Sequence, residues 1–272
     1  MKKTLYVTDL DGTLMRDDKS ISEYTKNVLN TLIERGEGIT FATARSIVSA
    51  GRITKDIRFR LPVITKNGSV FANQRLGTEV EVASFTPSET EELTSLLKAQ
   101  GLCGIVTEQR DGKEVKKYFT GRSNRGLDSY LHEHREDKRM LAVDEEEGLW
   151  TGTLTYIVFI GEKEELKPVY CLLKDNPVCS MVFQKDQYLD DYWIELFPKE
   201  ASKANAILKL KERYGYDEVV CFGDSINDLS MFALADRACA VKNALEEVKA
   251  QATEVIGSNE EDGVARWLSQ LL

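Results

Sequence analysis

The chain has 272 residues, of which 42% are hydrophobic and 30% charged, with a formal net charge of −9. This is the composition of an ordinary folded protein, and its acidic balance argues against a general nucleic-acid binder. The five cysteines (Cys103, Cys171, Cys179, Cys221, Cys239) are scattered and never spaced CxxC, which points to a reducing compartment and away from a disulfide framework or a zinc site.

The start, Met1-Lys2-Lys3-Thr4, lacks the apolar core of a signal peptide. No stretch approaches the length of a membrane span. A cytoplasmic enzyme or binding protein is therefore expected. The run Leu5-Tyr6-Val7 predicts a buried strand that leads into Thr8-Asp9-Leu10-Asp11-Gly12-Thr13-Leu14. Residues two apart on an extended chain point the same way, so Asp9 and Asp11 can face one site. Two crowded carboxylates repel unless a cation sits between them, and a divalent ion with hard oxygen ligands fits. Asp11-Gly12 is equally a hairpin signal. On this stretch alone both readings stand.

A helix over 22–35 follows, with Val28, Leu29, Leu32 and Ile33 as its apolar stripe and Gly36 as its stop. Residues 38–45 read as a second strand that runs into the polar turn Thr43-Ala44-Arg45. A helix over 46–57 and a third strand over 61–65, closed by Asn67-Gly68, complete a strand–helix alternation. That alternation is the pattern of a doubly wound parallel sheet.

Near Ser84 the rhythm changes. A helix over 88–100 carries a capping-box pattern, Ser88 with Glu91. Short strands are expected at 103–107, 115–119, 154–160, 178–184 and 192–197, with helices at 124–136 and 162–174. Strands cluster here instead of alternating, so 84–190 reads as an α+β domain inserted into a core formed by 1–83 and 191–272. After Pro198 the first rhythm returns: helix 201–214, strand 218–222, loop Gly223-Asp224-Ser225, helix 226–234, strand 238–241, helix 243–250, strand 254–256 and helix 263–272.

In a parallel α/β sheet, ligands collect at the carboxyl ends of the strands. Those ends carry Asp9 and Asp11, Thr43 and Arg45, and Asp224, Asn227 and Asp228. Lys203 opens the helix before the last of them. A carboxylate nucleophile, acids for a divalent cation and donors for equatorial oxygens are what phosphoryl transfer requires.

The set Asp9-Leu10-Asp11-Gly12-Thr13-Leu14, Thr43-Ala44-Arg45, Lys203 and Gly223-Asp224-Ser225-Ile226-Asn227-Asp228 resembles the four motifs of the haloacid dehalogenase superfamily. The insertion falls between the second and third motifs, as in its Cof-like subfamily IIB sugar-phosphatase branch with a C2-type cap. Asn67-Gly68, Asn243-Ala244 and Asp262-Gly263-Val264-Ala265 resemble that branch too.

The resemblance implies a Rossmann-like doubly wound parallel sheet core with an inserted α+β cap that sets substrate specificity. It implies a Mg²⁺-dependent phosphatase acting on small phosphate monoesters, sugar phosphates first. Asp9 would be the nucleophile and Asp11 the general acid and base. Mg²⁺ would be held by the side chains of Asp9 and Asp224 and by the Asp11 backbone carbonyl. Thr43, Lys203 and Asn227 would hold the phosphoryl oxygens, with the Leu10 and Ala44 backbone N–H groups. Asp228 would orient Lys203 or a metal-bound water, and Arg45 and Asn243 would reach toward the substrate or cap. The expected partner is a small phosphorylated metabolite, with no nucleic acid and no membrane, and the protein a monomer or homodimer. The same motifs leave open a sugar phosphomutase, or a non-catalytic regulatory protein that binds a phosphorylated ligand.

Three other features invite chemistry and are read as structural. His132 and His134 sit two apart on a predicted helix and point to different sides. Cys221 lies inside a predicted buried strand. Tyr188, Tyr192 and Trp193 are best read as cross-strand packing.

Overall fold

The structure, a computed structural model, describes residues 2–186 and 190–272, and Tyr188 lies outside the described residues. The chain divides into two compact units, Met1–Val82 with Ala201–Leu272, and Ala83–Glu200.

The first unit begins with β1 (Thr4–Thr8), α1 (Glu23–Arg35), β2 (Gly38–Phe41), α2 (Ile47–Ile53) and β3 (Val63–Thr65). Ser22 caps α1 by accepting from the Thr25 N–H, and Gly36 ends it in the left-handed region at φ 98°. The alternation expected from the sequence is present. An antiparallel hairpin, β4 (Val70–Asn73) and β5 (Thr78–Val82), was not expected. Its second strand, Thr-Glu-Val-Glu-Val, places Glu81 beside Arg213, so it carries no apolar run to advertise a strand.

The inserted unit contains α3 (Pro87–Lys98), β6 (Gly104–Arg110), β7 (Lys113–Phe119), α4 (Arg125–Glu133), β8 (Met140–Val143), β9 (Thr153–Gly161), α5 (Lys163–Leu173), β10 (Cys179–Lys185) and β11 (Tyr192–Pro198). Its sheet runs β10-β11-β9-β6-β7-β8, antiparallel except for the parallel β7–β8 pair. Neighbouring residues of β6 serve opposite faces. Val106 packs with Leu93, Leu97, Leu166, Val169 and Ile194, whereas Ile105 packs with Leu127 of α4.

Two expectations need correction here. The capping box of α3 is Thr86 with Glu89, not Ser88 with Glu91. Pro87 explains the shift, because its fixed φ suits the first helical position. The division between units falls at Ala201 and not at 191. β11 pairs with both β10 and β9 and cannot leave that sheet without breaking two ladders.

The first unit then resumes with α6 (Lys203–Tyr214), β12 (Glu218–Gly223), α7 (Leu229–Leu234), β13 (Arg237–Val241), α8 (Glu246–Lys249), β14 (Glu254–Ile256) and α9 (Gly263–Leu268). Its five-stranded sheet is wholly parallel, in the order β14-β13-β12-β1-β2. A single parallel bridge, Ala42 to Ile64, continues it to β3. Leu5, Val7, Val219, Cys221 and Phe222 are fully buried. Both faces of the central strands are therefore covered, as a doubly wound α/β fold requires. All five cysteines are free, four of them buried. No described helix is long and apolar enough to cross a membrane.

Candidate active site

The strand order reverses between β1 and β12, and in such sheets the crevice beyond the carboxyl ends at that point is where ligands bind. β1 pairs in parallel with β12 up to Thr8 opposite Phe222, and the Asp9 N–H donates to the Phe222 carbonyl at 2.9 Å. Asp9 and the loop starting at Asp224 therefore leave the sheet side by side. After Asp9 the chain winds tightly, closed by the Met15 N–H on the Leu10 carbonyl at 2.8 Å. Gly12 sits at φ 69°, and a Cβ there would lie 2.4 Å from Asp224 Oδ2, so only glycine serves. Thr13 Oγ1 donates to Asp224 Oδ1 at 3.0 Å.

Ser202 caps α6 by accepting from the Asn205 N–H, which fixes Lys203 at the first helical position. The Lys203 Nζ lies 2.6 Å from Asp9 Oδ1 and 2.7 Å from Asp228 Oδ1, and all three side chains are buried. The other Asp228 oxygen accepts the Asp224 and Ser225 N–H groups at 3.0 and 3.1 Å. Asp228 thus ties the β12 loop to Lys203.

Thr43, also buried, follows β2, and its Oγ1 accepts the Arg45 N–H at 3.2 Å. Leu10 is buried and Ala44 half-buried, each adjacent in the chain to one of these groups. Asn227 is held at both ends of its amide. Its Oδ1 accepts from Ser225 Oγ at 2.7 Å, and its Nδ2 donates to Asn67 Oδ1 at 3.4 Å.

Two residues are placed differently from the expectation that they reach toward substrate or cap. Arg45 grips Asp11 with Nε and Nη2, at 2.7 and 2.5 Å, and donates from Nη1 to Ser49 Oγ. A bidentate carboxylate partner within reach is the strongest available use of a guanidinium. Asn243 donates to the Gly12 carbonyl at 2.7 Å and accepts the Asn259 N–H at 3.0 Å, so it braces the loop that follows Asp9. Asn259 in turn donates to the Met15 carbonyl and Asp17 Oδ1, and Asp262 accepts from Arg16 and Thr25. The roles of Asn259 and Asp262 in this network were not read from the sequence, and neither was Thr13 on Asp224. Thr13 and Asp262 each lay inside one of the motifs, and Asn259 had no signal.

Carboxylate oxygens of Asp9, Asp224 and Asp228 lie within 4.8 Å of one another. Burial pushes the Asp9 carboxyl well above its usual range. Lys203 opposes this, while Asp228, Asp224 and Asp11 add to it. Burial, with Asp228, pushes Asp224 up to about 7 against the help of Thr13 and Lys203. Burial alone would lower Lys203, but Asp228 and Asp9 outweigh it and its pKa is raised. One ammonium thus stands against three acids. A divalent cation with hard oxygen ligands fits this donor set. Because Asp228 already uses both oxygens, Asp9 and Asp224 are the side chains left to hold it. His132 and His134 make no such group: His134 stacks on Tyr130, and His132 meets Arg135. Trp193 packs on Tyr130, and Tyr192 on Phe183.

A family model for haloacid dehalogenase-like hydrolases matches residues 6–268. The chain is 25% identical to the 5-amino-6-(5-phospho-D-ribitylamino)uracil phosphatase YitU of Bacillus subtilis, over 99% of this chain and 97% of that one. A haloacid dehalogenase-like hydrolase from B. subtilis superposes with a TM-score of 0.76 at 22% identity, with both chains covered in full. A sugar phosphatase described as HAD subclass IIB superposes with a TM-score of 0.73 at 20% identity, over 99% of this chain and 98% of that one. With the match spanning nearly the whole sequence, the chain belongs to the haloacid dehalogenase-like hydrolases.

Proposed function

We propose that this hydrolase is a Mg²⁺-dependent phosphatase that cleaves small phosphate monoesters, sugar phosphates first, through an aspartyl phosphate on Asp9. The observation that carries this reading is the buried Lys203 ammonium between Asp9 and Asp228, with Asp224 beside them. Mg²⁺, held by the Asp9 and Asp224 carboxylates and the Asp11 backbone carbonyl, would offset the crowded negative charge and that of the phosphoryl oxygens.

The Asp9 carboxylate attacks phosphorus as the bond to the leaving oxygen breaks, and Asp11 gives that oxygen its proton. A water then loses a proton to Asp11 and attacks the same phosphorus, which frees Asp9 and inorganic phosphate. Asp11 is gripped through both oxygens by Arg45, so one contact must loosen when Asp11 carries a proton. Lys203 is suited as a point charge for a phosphoryl oxygen, and Thr43, Asn227 and the Leu10 and Ala44 N–H groups supply further donors. Asp228 keeps Lys203 in place.

We assign substrate choice to the inserted unit, the cap of the subclass IIB arrangement. The five free cysteines support a cytoplasmic setting. The test is phosphate release, with Mg²⁺ and with EDTA, over sugar, polyol, nucleotide and cofactor phosphates. The phosphorylated ribityl compound named for the YitU relative belongs in that panel. Mg²⁺-dependent release is expected, and Asp9→Asn should lower it by at least 10³-fold, on the order seen when a unit of catalytic groups is broken, with the fold intact. Wild-type turnover by Asp9→Asn would refute the nucleophile assignment.

A further inference from the structure

The turn after β3 places three consecutive residues at positive φ. Lys66, Asn67 and Gly68 take φ values of 49°, 53° and 102° in succession. A run of left-handed residues is unfavourable for side chains with a Cβ, and it persists only where the surroundings over-determine it. Here they do. The Lys66 N–H donates to the Arg45 carbonyl and the Asn67 N–H to the Thr43 carbonyl, each at 3.0 Å. Gly68 lies against the backbone of Ser202 and Lys203, where a Cβ would come within 2.2 Å. The buried Asn67 side chain accepts from Asn227 Nδ2. One turn therefore touches the segments that carry Thr43, Lys203 and Asn227.

The amide of Asn227 shows what this contact achieves. Its oxygen is taken by the Ser225 hydroxyl and one of its two N–H groups by Asn67. Both partners agree on which way round the amide sits, and its second N–H remains for an anion. Without Asn67 the carboxamide keeps a single anchor and gains a rotation it must lose on binding.

We propose that Asn67 is a positioning residue for phosphate recognition: it orients the Asn227 amide and locks the Lys66–Gly68 turn that registers Thr43 and Lys203 against it. The inference rests on the phosphatase reading above, because it takes Thr43, Lys203 and Asn227 as the phosphoryl-binding groups. It does not depend on which phosphate ester is cleaved.

The decisive variant is Asn67→Gly, which removes the amide while keeping a residue at ease at positive φ. Asn67→Ala removes the amide and adds backbone strain. Inorganic phosphate serves as the probe, its inhibition constant measured with Mg²⁺ and p-nitrophenyl phosphate, alongside KM, kcat and the melting temperature. Asn67→Gly should melt within about 3 °C of the wild type, because glycine's ease at positive φ offsets part of the lost hydrogen bond. Its phosphate inhibition constant and its KM should each rise about tenfold, with kcat changed less than threefold, the signature of lost uniform binding. A merely structural role would lower kcat through a smaller active fraction and leave KM and the inhibition constant where they are. That result, or wild-type values throughout, overturns the proposal. If the wild-type protein neither hydrolyses the ester nor binds phosphate, the phosphatase reading falls and takes this inference with it. Wild-type hydrolysis with an unaltered Asn67→Gly removes this inference alone.

Discussion

Each unit buries a lysine against a carboxylate, and the two arrangements differ in charge balance. In the inserted unit Lys117 and Glu108 are almost fully buried, 3.0 Å apart. Lys117 also donates to the Thr151 carbonyl, and the Arg110 guanidinium covers the second Glu108 oxygen. Burial draws Lys117 below its ordinary value, and the charge of Glu108 is locally matched. In the first unit Lys203 faces Asp9 and Asp228 with Asp224 nearby, and the acids outnumber it. A balanced pair can be structural. An unbalanced one keeps a standing demand for positive charge, which marks it as the candidate functional cluster.

Breaking each lysine tests that contrast most severely. Lys203→Met should reduce phosphate release on the order of 10³-fold, as loss of a charge-stabilising donor does, whatever is placed at Asp228. A variant that retained a tenth of the activity would show that Lys203 is as structural as Lys117. Lys117→Met should leave catalysis untouched in the folded fraction and cost about 2–4 kcal/mol in urea unfolding, because Glu108 loses its buried partner. Lys117→Met with Glu108→Leu should return to within about 1 kcal/mol of wild type, since apolar replacement of a buried pair is often neutral. No such rescue is expected in the first unit.

The excess of acid also sets a pH dependence. Asp224 is raised to about 7 from an ordinary 3.8, and Asp9 is raised in the same direction. Folded protein therefore holds protons that unfolded chain has released, and stability falls as pH rises between those values. From pH 6 to pH 8 the metal-free protein should lose about 1–2 kcal/mol through Asp224. Mg²⁺ should restore more at pH 8 than at pH 6, because it binds the ionised carboxylates. Asp224→Asn should flatten both responses, and thermal melts at the two pH values decide it. The smallest expected effect is a control in the other unit: Thr86→Ala removes the α3 capping box at about 1 kcal/mol, with KM and kcat unchanged.

The alternation of the first unit was legible because its central strands are apolar runs and its longer helices carry a cap and a stop, as with Ser22 and Gly36 on α1 and Ser202 and Gly215 on α6. The candidate site was legible where motifs sit at a strand end or helix start: Asp9, Lys203, Asp224 and Asp228 come together. Side-chain partners were not. Nothing in spacing says that Arg45 would turn back on Asp11 or that Asn243 would brace Gly12, because those contacts depend on the distance between loops that only folding fixes. Thr86 was passed over for Ser88 because both satisfy the same capping pattern and Pro87 decides between them.

The bracing of the loop after Asp9 has a consequence for how the enzyme is made. The Met15 carbonyl is held by Asn259, 244 residues later, and Arg16 by Asp262, 246 residues later. Synthesis proceeds from the N-terminus and units fold as they emerge, so the inserted unit can be complete while this loop still lacks its partners. The loop after Asp9 therefore gains its full set of contacts only when residues 259–262 join it, after the inserted unit between them has been made.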